Sequence, residues 1–306
     1  MYHHSGGGGA GRGPSGRKTE LIQAAPLRRY GWLVHGFTTR HQSAGRDFNL
    51  SYSVADDAKV VSRNRRRLLR RLSAKGMQLV TLRQRHTDMI QVIDSLPHAG
   101  EREPGGALKL PGDAVVSTRP KLLLAVQVAD CLPLLLVDAK RRVVAAVHAG
   151  WRGTAKRIAE KTVGRMRQEF GTNPKDVRAA FGPSIRRCCY EVGREVVEAY
   201  QGTFSYCDEL FSRTEPSPSE VHWQQPLLTD NRELRPRPGV TAPPGEKFHL
   251  DLVAANRRQL QAAGVPARNI WISLLCTACH TDLLFSHRAE HGRTGRLMGL
   301  VGINQP

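Results

Sequence analysis

The chain predicts an α/β (α+β) fold, a layered sandwich in which mixed β-sheets are flanked by helices. Three observations carry that expectation. Short runs rich in Val and Leu, bounded by turn or charged residues, read as buried strands. Longer stretches with apolar residues three or four apart read as helices. The two kinds of segment intermix without a clean strand–helix–strand alternation, which favours a mixed sheet over a parallel one.

In chain order, residues 1–18 are Gly-rich and read as a disordered tail. A helix is expected from about Asp57 to Lys75, stopped by Gly76, with Val61, Leu68 and Leu72 on its apolar stripe. The arginines between Arg63 and Arg71 are expected mostly outside. The run around Leu79–Leu82 and the alternation at 89–93 read as strands, with His86 in the break between them. Residues 121–129 and 143–147 are two further apolar runs. A third segment, 132–137, continues after Cys131 and turns at Asp138-Ala139-Lys140. Helices follow over Thr154–Phe170, Glu191–Phe204 and Asp251–Ala263, the last with an acidic start and Gly264 as its stop. Residues 208–246 contain Pro216, Pro218, Pro226, Pro236, Pro238, Pro243 and Pro244, and read as a surface insertion in a single domain of 19–306.

Composition narrows the classes of function. With 306 residues the chain can bury a substantial core. No apolar run reaches the length of a bilayer span, so no membrane partner is expected. Met1-Tyr2-His3-His4-Ser5, followed by four glycines, lacks the apolar core of a signal peptide. Six cysteines in a chain this long do not make a disulfide framework. A cytoplasmic protein with reduced thiols is the expectation. The formal net charge is +19, mostly arginine. A basic stripe is the footprint of nucleic-acid binding, but no aromatic interleaving or nucleic-acid motif accompanies it. A solvated basic face is therefore expected, one that also draws in phosphate. No GxGxxG or P-loop stands in the chain, so no nucleotide cofactor is expected.

The chemistry concentrates in Val128-Ala129-Asp130-Cys131-Leu132-Pro133 and His148-Ala149-Gly150-Trp151-Arg152-Gly153. They place a thiol and an imidazole at the ends of adjacent predicted strands. Singly, Cys131 reads as a small buried hydrophobe and His148 as a satisfied polar group. Together with Asp130, whose carboxylate needs a partner if buried, they read as a site. Gly150 and Gly153 permit close backbone approach, and a helix opening at Thr154 would point free N–H groups back at the same place. Two histidines and a cysteine, His86, Cys131 and His148, form a legitimate zinc set with an open fourth position. Cys276 and Cys279 have CxxC spacing but no second pair at standard spacing, so they read as reduced thiols at a strand end. Cys188 and Cys189 are adjacent, poorly placed for a mutual disulfide, and read as packing residues.

The motifs, taken in order, resemble a known family. They are His35-Gly36-Phe37-Thr38-Thr39-Arg40, Asn49-Leu50, Asp56-Asp57, Asn64-Arg65, Gln84-Arg85-His86 and Gly112-Asp113-Ala114. The cysteine and histidine motifs above follow, then Phe181-Gly182-Pro183-Ser184-Ile185, Cys188-Cys189-Tyr190-Glu191-Val192-Gly193, Cys276-Thr277-Ala278-Cys279, Phe285-Ser286-His287-Arg288 and Thr294-Gly295-Arg296. On these, the chain is similar to the multicopper polyphenol oxidoreductase (laccase-like) family, described as purine nucleoside phosphorylases and including the peptidoglycan editing factor group. The resemblance covers about residues 30–205 and 247–303 and implies a CNF-toxin-like, laccase-domain fold. It maps the family's metal site to His86, Cys131 and His148. The chain departs from the family pattern at Arg85 and Thr87 around His86, and at His287, where the family usually has Tyr.

The resemblance implies phosphorolysis of adenosine, inosine and methylthioadenosine, with adenosine deamination beside it. Purine nucleosides and phosphate are then the partners and zinc the cofactor, with copper as the other candidate. The expected catalytic residues are Cys131, His148 and Asp130, with Asp130 orienting a ligand or moving a proton. Arg40, Arg152 and Arg288 are the candidate phosphate-binding residues, since a guanidinium suits bidentate phosphate contact. Three other readings stay open. One is a copper-dependent polyphenol oxidase, although His-x-His pairs are absent. Another is a Cys–His hydrolase of peptidoglycan quality control, with Cys131 as nucleophile and His148 as base. The last is a non-enzymatic nucleic-acid-binding protein.

Overall fold

The computed structural model describes residues 21–41, 47–54, 56–94, 101–213 and 246–304. The elements run β1 (Leu21–Ile22), β2 (Leu33–Thr38), α1 (Ala58–Arg71), β3 (Gln78–Arg83), β4 (Ile90–Ile93), β5 (Glu101–Arg102), β6 (Leu108–Pro111) and β7 (Ala114–Ser117). They continue as β8 (Leu122–Val128), β9 (Leu132–Asp138), β10 (Val143–Ala149), α2 (Trp151–Ala155), α3 (Ile158–Phe170), β11 (Val177–Phe181), β12 (Glu191–Val192) and α4 (Arg194–Gln201). The last are α5 (Cys207–Leu210), β13 (Phe211–Arg213), β14 (Phe248–Leu250), α6 (Leu252–Ala262), β15 (Ile270–Ile272) and β16 (Leu297–Ile303).

Two mixed sheets lie face to face, as the intermixed pattern predicts. One has the order β1-β2-β16-β8-β3-β6-β5 and the other β15-β11-β9-β10-β7-β4. A small third sheet, β12-β14-β13, sits beside them. Alternate residues of each central strand enter different apolar layers. Leu122, Leu124 and Val126 of β8 pack between the sheets with Leu135, Val137, Val144 and Ala146. Leu123 and Ala125 face the other way, onto Leu68 and Leu72 of the α1 side. Leu134, Leu136, Val143 and Val147 pack outward against Ile158, Val163 and Met166 of α3 and Leu252 and Leu260 of α6. Burial on both faces is why these strands are continuous apolar runs rather than alternating ones.

Several boundaries differ from expectation. Asp57 caps α1 by accepting from the Lys59 N–H, but the helix ends at Arg71, with Leu72 as its C-cap. Arg65 is not on the outer face. It is buried, its Nη1 lies 2.5 Å from Glu103, and its guanidinium stacks on Tyr52. The helix expected over Thr154–Phe170 is two helices, broken at Arg157, which takes φ +63°. That left-handed residue redirects the chain so that α3 can lie along the six-stranded sheet. The segment Glu191–Phe204 opens as a strand, because Glu191 and Val192 pair with His249 and Phe248 of β14. The expected tail, residues 1–18, and the core of the proline-rich insertion lie outside the described residues. Residues 208–213, expected within the insertion, belong to α5 and β13, and Arg213 pairs with Phe248.

Candidate active site

The chain steps from the seven-stranded to the six-stranded sheet three times here. The steps are β3 to β4, β6 to β7, and β8 to β9. β3 runs parallel to both β6 and β8, so the three strands release their crossovers along one sheet edge. The crossovers carry His86, Asp113 and Cys131. β10 ends at the same seam, with His148 opposite Pro133 of β9.

Backbone strain and one glycine bring these side chains together. His86 takes φ +58° and Asp130 φ +95°, a region that side-chain-bearing residues enter only when surroundings over-determine it. A Cβ on Gly150 would lie 2.8 Å from His86 Cδ2 and 3.0 Å from Cys131 Sγ. Only glycine lets the backbone after His148 pass that close to both. The helix after Gly150 starts at Trp151, earlier than the expected Thr154.

His86, Cys131 and His148 converge, each offering one ligand atom, and these atoms all lie within 4.8 Å of one another. His86 Nε2 is 3.7 Å from Cys131 Sγ, and the two imidazoles meet edge to face at 4.9 Å between centroids. Ligands of a tetrahedral zinc at ordinary bond lengths stand about 3.5 Å apart, so the set fits that ion, and its N/N/S chemistry also suits copper. His148 is buried and its Nδ1 lies 2.8 Å from Asp113 Oδ1, which leaves Nε2 for the site.

Asp113 organises the centre, and sequence reasoning assigned it no role. Its carboxylate accepts from the backbone N–H groups of Arg85, His86 and Thr87 and from the Thr87 hydroxyl, besides meeting His148. Burial pushes its pKa up, but hydrogen bonds from His148 and Thr87 reverse this and hold the carboxyl far below the usual range. The available signal was an acidic residue between Gly112 and a fully apolar strand start, where a carboxylate must find donors. Burial likewise opposes ionisation of the Cys131 thiol, yet His148 and then His86 hold it down to about 6. His148 is pushed toward neutrality by burial, while Cys131 and Asp113 outweigh this and raise it to about 9.

The centre opens into a cleft of about 410 Å³, lined among others by Gln84, Tyr190, Arg152, Arg288 and Arg296. That is within the size range of small-molecule sites. Arg152 lies over the Trp151 ring at 4.3 Å, and no carboxylate pairs with it among the described residues. Arg288 reaches the same cleft, with Nη1 on the Glu191 carbonyl oxygen at 2.7 Å. Arg296, absent from the sequence-based candidates, also lines it. Arg40 does not line this cleft. Its guanidinium is held by Asp47 at 3.0 Å and Glu290 at 2.7 Å, and it stacks on Phe285. Asp130 borders the cleft, but its carboxylate accepts from the Thr277 and Ser286 hydroxyls and the Arg288 N–H. It ties the 276–288 loop to the cysteine crossover rather than touching His86 or His148.

Comparison with known proteins agrees with this architecture. The chain is 32% identical over 284 residues to a purine nucleoside phosphorylase of Bacteroides thetaiotaomicron, covering 91% of this chain and 94% of that one. It is 37% identical over 263 residues to adenosine deaminase RL5 from an unknown prokaryotic organism, covering 85% and 89%. The crystal structure of YlmD from Geobacillus stearothermophilus superposes with a TM-score of 0.74 at 32% identity, covering 94% of this chain and 99% of that one. Residues 34–304 match the multi-copper polyphenol oxidoreductase laccase family, and the chain belongs to that family.

Proposed function

We propose that the protein is a zinc-dependent purine nucleoside phosphorylase. It converts adenosine, inosine or methylthioadenosine with phosphate to the free base and the ribose 1-phosphate, or its methylthio counterpart, and deaminates adenosine as a companion activity. One observation carries the reading: the His86–Cys131–His148 donor set and the guanidinium groups of Arg152, Arg288 and Arg296 open into one cleft. The reading is supported by relatives named purine nucleoside phosphorylase and adenosine deaminase.

In phosphorolysis a phosphate oxygen bonds to C1′ of the ribose while the C1′–N9 bond breaks, its electron pair leaving with the purine. The chain must hold an anionic nucleophile and a sugar that gains positive charge. Arg152, without a carboxylate partner among the described residues, is the phosphate clamp, assisted by Arg296 and Arg288. Asp113 fixes the ring of His148 and the backbone that carries His86, so both ligands keep their orientation. Asp130 is a positioning residue that holds the Arg288 loop against the cleft. His86, Cys131 and His148 would hold a metal ion, which would supply the Lewis-acid chemistry that deamination requires. The setting proposed is the cytoplasm; no helix among the described residues is long and apolar enough to cross a membrane.

A second reading is favoured by the pairing of an acidified Cys131 thiol with a basic His148 backed by Asp113. That is the nucleophile, base and orienting group of a cysteine hydrolase. His86 tells against it: a triad has no use for a second imidazole 3.7 Å from the thiol, and a metal set does. Incubation with adenosine, with and without phosphate, decides. Phosphorolysis yields adenine and ribose 1-phosphate only with phosphate. The hydrolase reading predicts no phosphate dependence and a covalent adduct on Cys131.

A further inference from the structure

The four remaining cysteines other than Cys207 form a second centre. β11 and β15 are parallel neighbours, with Phe181 opposite Ile272, so the loops leaving their C-terminal ends emerge side by side. The pairing continues into those loops: Ser184 bridges Cys276, and the Thr277 N–H donates to the Ser184 carbonyl oxygen at 3.1 Å. The first loop carries Cys188 and Cys189, the second Cys276 and Cys279. The structure brings the two pairs onto one point. Their sulfur atoms all lie within 4.8 Å of one another, with Cys279 Sγ 3.6 Å from Cys188 Sγ and 3.3 Å from Cys189 Sγ.

The expectation that Cys188 and Cys189 are packing residues fails on exposure. A free cysteine that merely packs is a small buried hydrophobe. Here Cys188 and Cys279 are exposed, Cys189 is half-buried, and Cys276 alone of the four is buried. All four are free thiols in the described structure. A tetrahedral zinc with four thiolates at about 2.3 Å places its sulfurs about 3.8 Å apart, close to the spacings found. The Arg186 N–H points at Cys276 Sγ at 3.4 Å, the kind of outer donor that thiolate ligands use.

We propose that Cys188, Cys189, Cys276 and Cys279 bind one zinc ion as a closed four-thiolate structural site, distinct from the His86–Cys131–His148 centre. Binding releases the thiol protons and joins two loops that the backbone alone joins weakly. Those loops form the outer wall of the cleft. One carries Ile185 and Tyr190. The other leads to Thr277, Ser286 and Arg288, which hold Asp130. The ion therefore acts as a staple for the rim that places Arg288, without taking part in the chemistry.

The test is zinc quantification and X-ray absorption on the full chain, purified under reducing, zinc-replete conditions. Wild-type protein should hold two equivalents and Cys131→Ser one. The zinc retained by Cys131→Ser should show four sulfur neighbours at about 2.3 Å. The Cys276→Ser/Cys279→Ser double variant should lose one equivalent. If that variant does not fold, Cys188→Ser, altered at an exposed position, should give the same loss or a weakened site. If wild type and Cys131→Ser both hold one equivalent with four sulfurs, the four-cysteine site stands and the other zinc assignment falls. Nitrogen or oxygen neighbours on the zinc of Cys131→Ser would overturn the proposal. So would a metal-free Cys131→Ser, or a disulfide between Cys279 and Cys188 or Cys189 under these conditions.

Discussion

The protein has two thiol centres, and they are built differently. The His86–Cys131–His148 centre sits at the seam between two sheets, on strand ends and crossovers held by Asp113 and strained backbone. The four-cysteine centre sits at the surface, on two loops joined beyond the paired strands by the Ser184–Cys276 bridge, the Thr277 N–H to Ser184 bond and the contacts of Arg186. The first has an open side facing a cationic cleft. The second has enough ligands to close on an ion. On the proposed reading, the contrast is that of a reactive site carried on a rigid platform and a staple carried on loops. It separates chemistry from support, and it can be broken by substitution.

The largest expected effect is at the seam. Cys131→Ala should lose the metal of that centre and bring phosphorolysis to background, as judged by metal content and adenine release on the same sample. A variant with full metal and no activity would make Cys131 a nucleophile rather than a ligand. Asp113→Asn should fold yet lower metal affinity or activity about 10- to 100-fold, because it loosens His148 without removing a ligand. Its pH dependence has a fixed sign. The folded-state pKa of Asp113 is depressed, so its stabilisation is fully present above the ordinary carboxylate value of about 3.9 and is lost as pH falls through the lower folded value. Urea unfolding of the metal-free protein against pH should therefore show an acid limb that Asp113→Asn flattens.

Smaller effects separate the arginines. Arg152→Ala should raise the phosphate requirement more than the nucleoside requirement, by about 1.5–3 kcal/mol or roughly ten- to hundredfold. Arg40→Lys should leave phosphate use within about twofold, since Asp47 and Glu290 already pair with that charge and Arg40 does not line the cleft. Equal effects at both positions would put the phosphate elsewhere. Smallest of all, Cys188→Ser should leave the seam metal in place and change turnover by less than Asp113→Asn does. A larger loss would mean that the surface cysteines take part in the chemistry.

Much of the seam was legible in the sequence, for a physical reason. Strands buried on both faces leave unbroken apolar runs, and Cys131 and His148 mark where two such runs end. His86 was legible as the break between two shorter strands. Asp113 was not, because its importance lies in donors from Arg85, His86 and Thr87, more than twenty residues earlier in the chain. The break at Arg157 was equally hidden, since the apolar spacing runs straight through it and tertiary packing alone makes the helix turn. The four-cysteine cluster was invisible for the same reason as Asp113. Cys188 and Cys279 stand 91 residues apart, and only the parallel pairing of β11 with β15 joins them. Arg40 shows the converse limit of a motif: its sequence context looks like the others, and only the fold shows two carboxylates beside its guanidinium.

The most direct test of the central claim is to strip the protein of metal and titrate zinc back, measuring adenine release from adenosine in phosphate buffer at each step. Turnover that is absent in the stripped protein, rises with zinc until the seam site fills, and vanishes when phosphate is omitted is the predicted result. Adenine release that is full without zinc, or that proceeds unchanged without phosphate, would contradict the account.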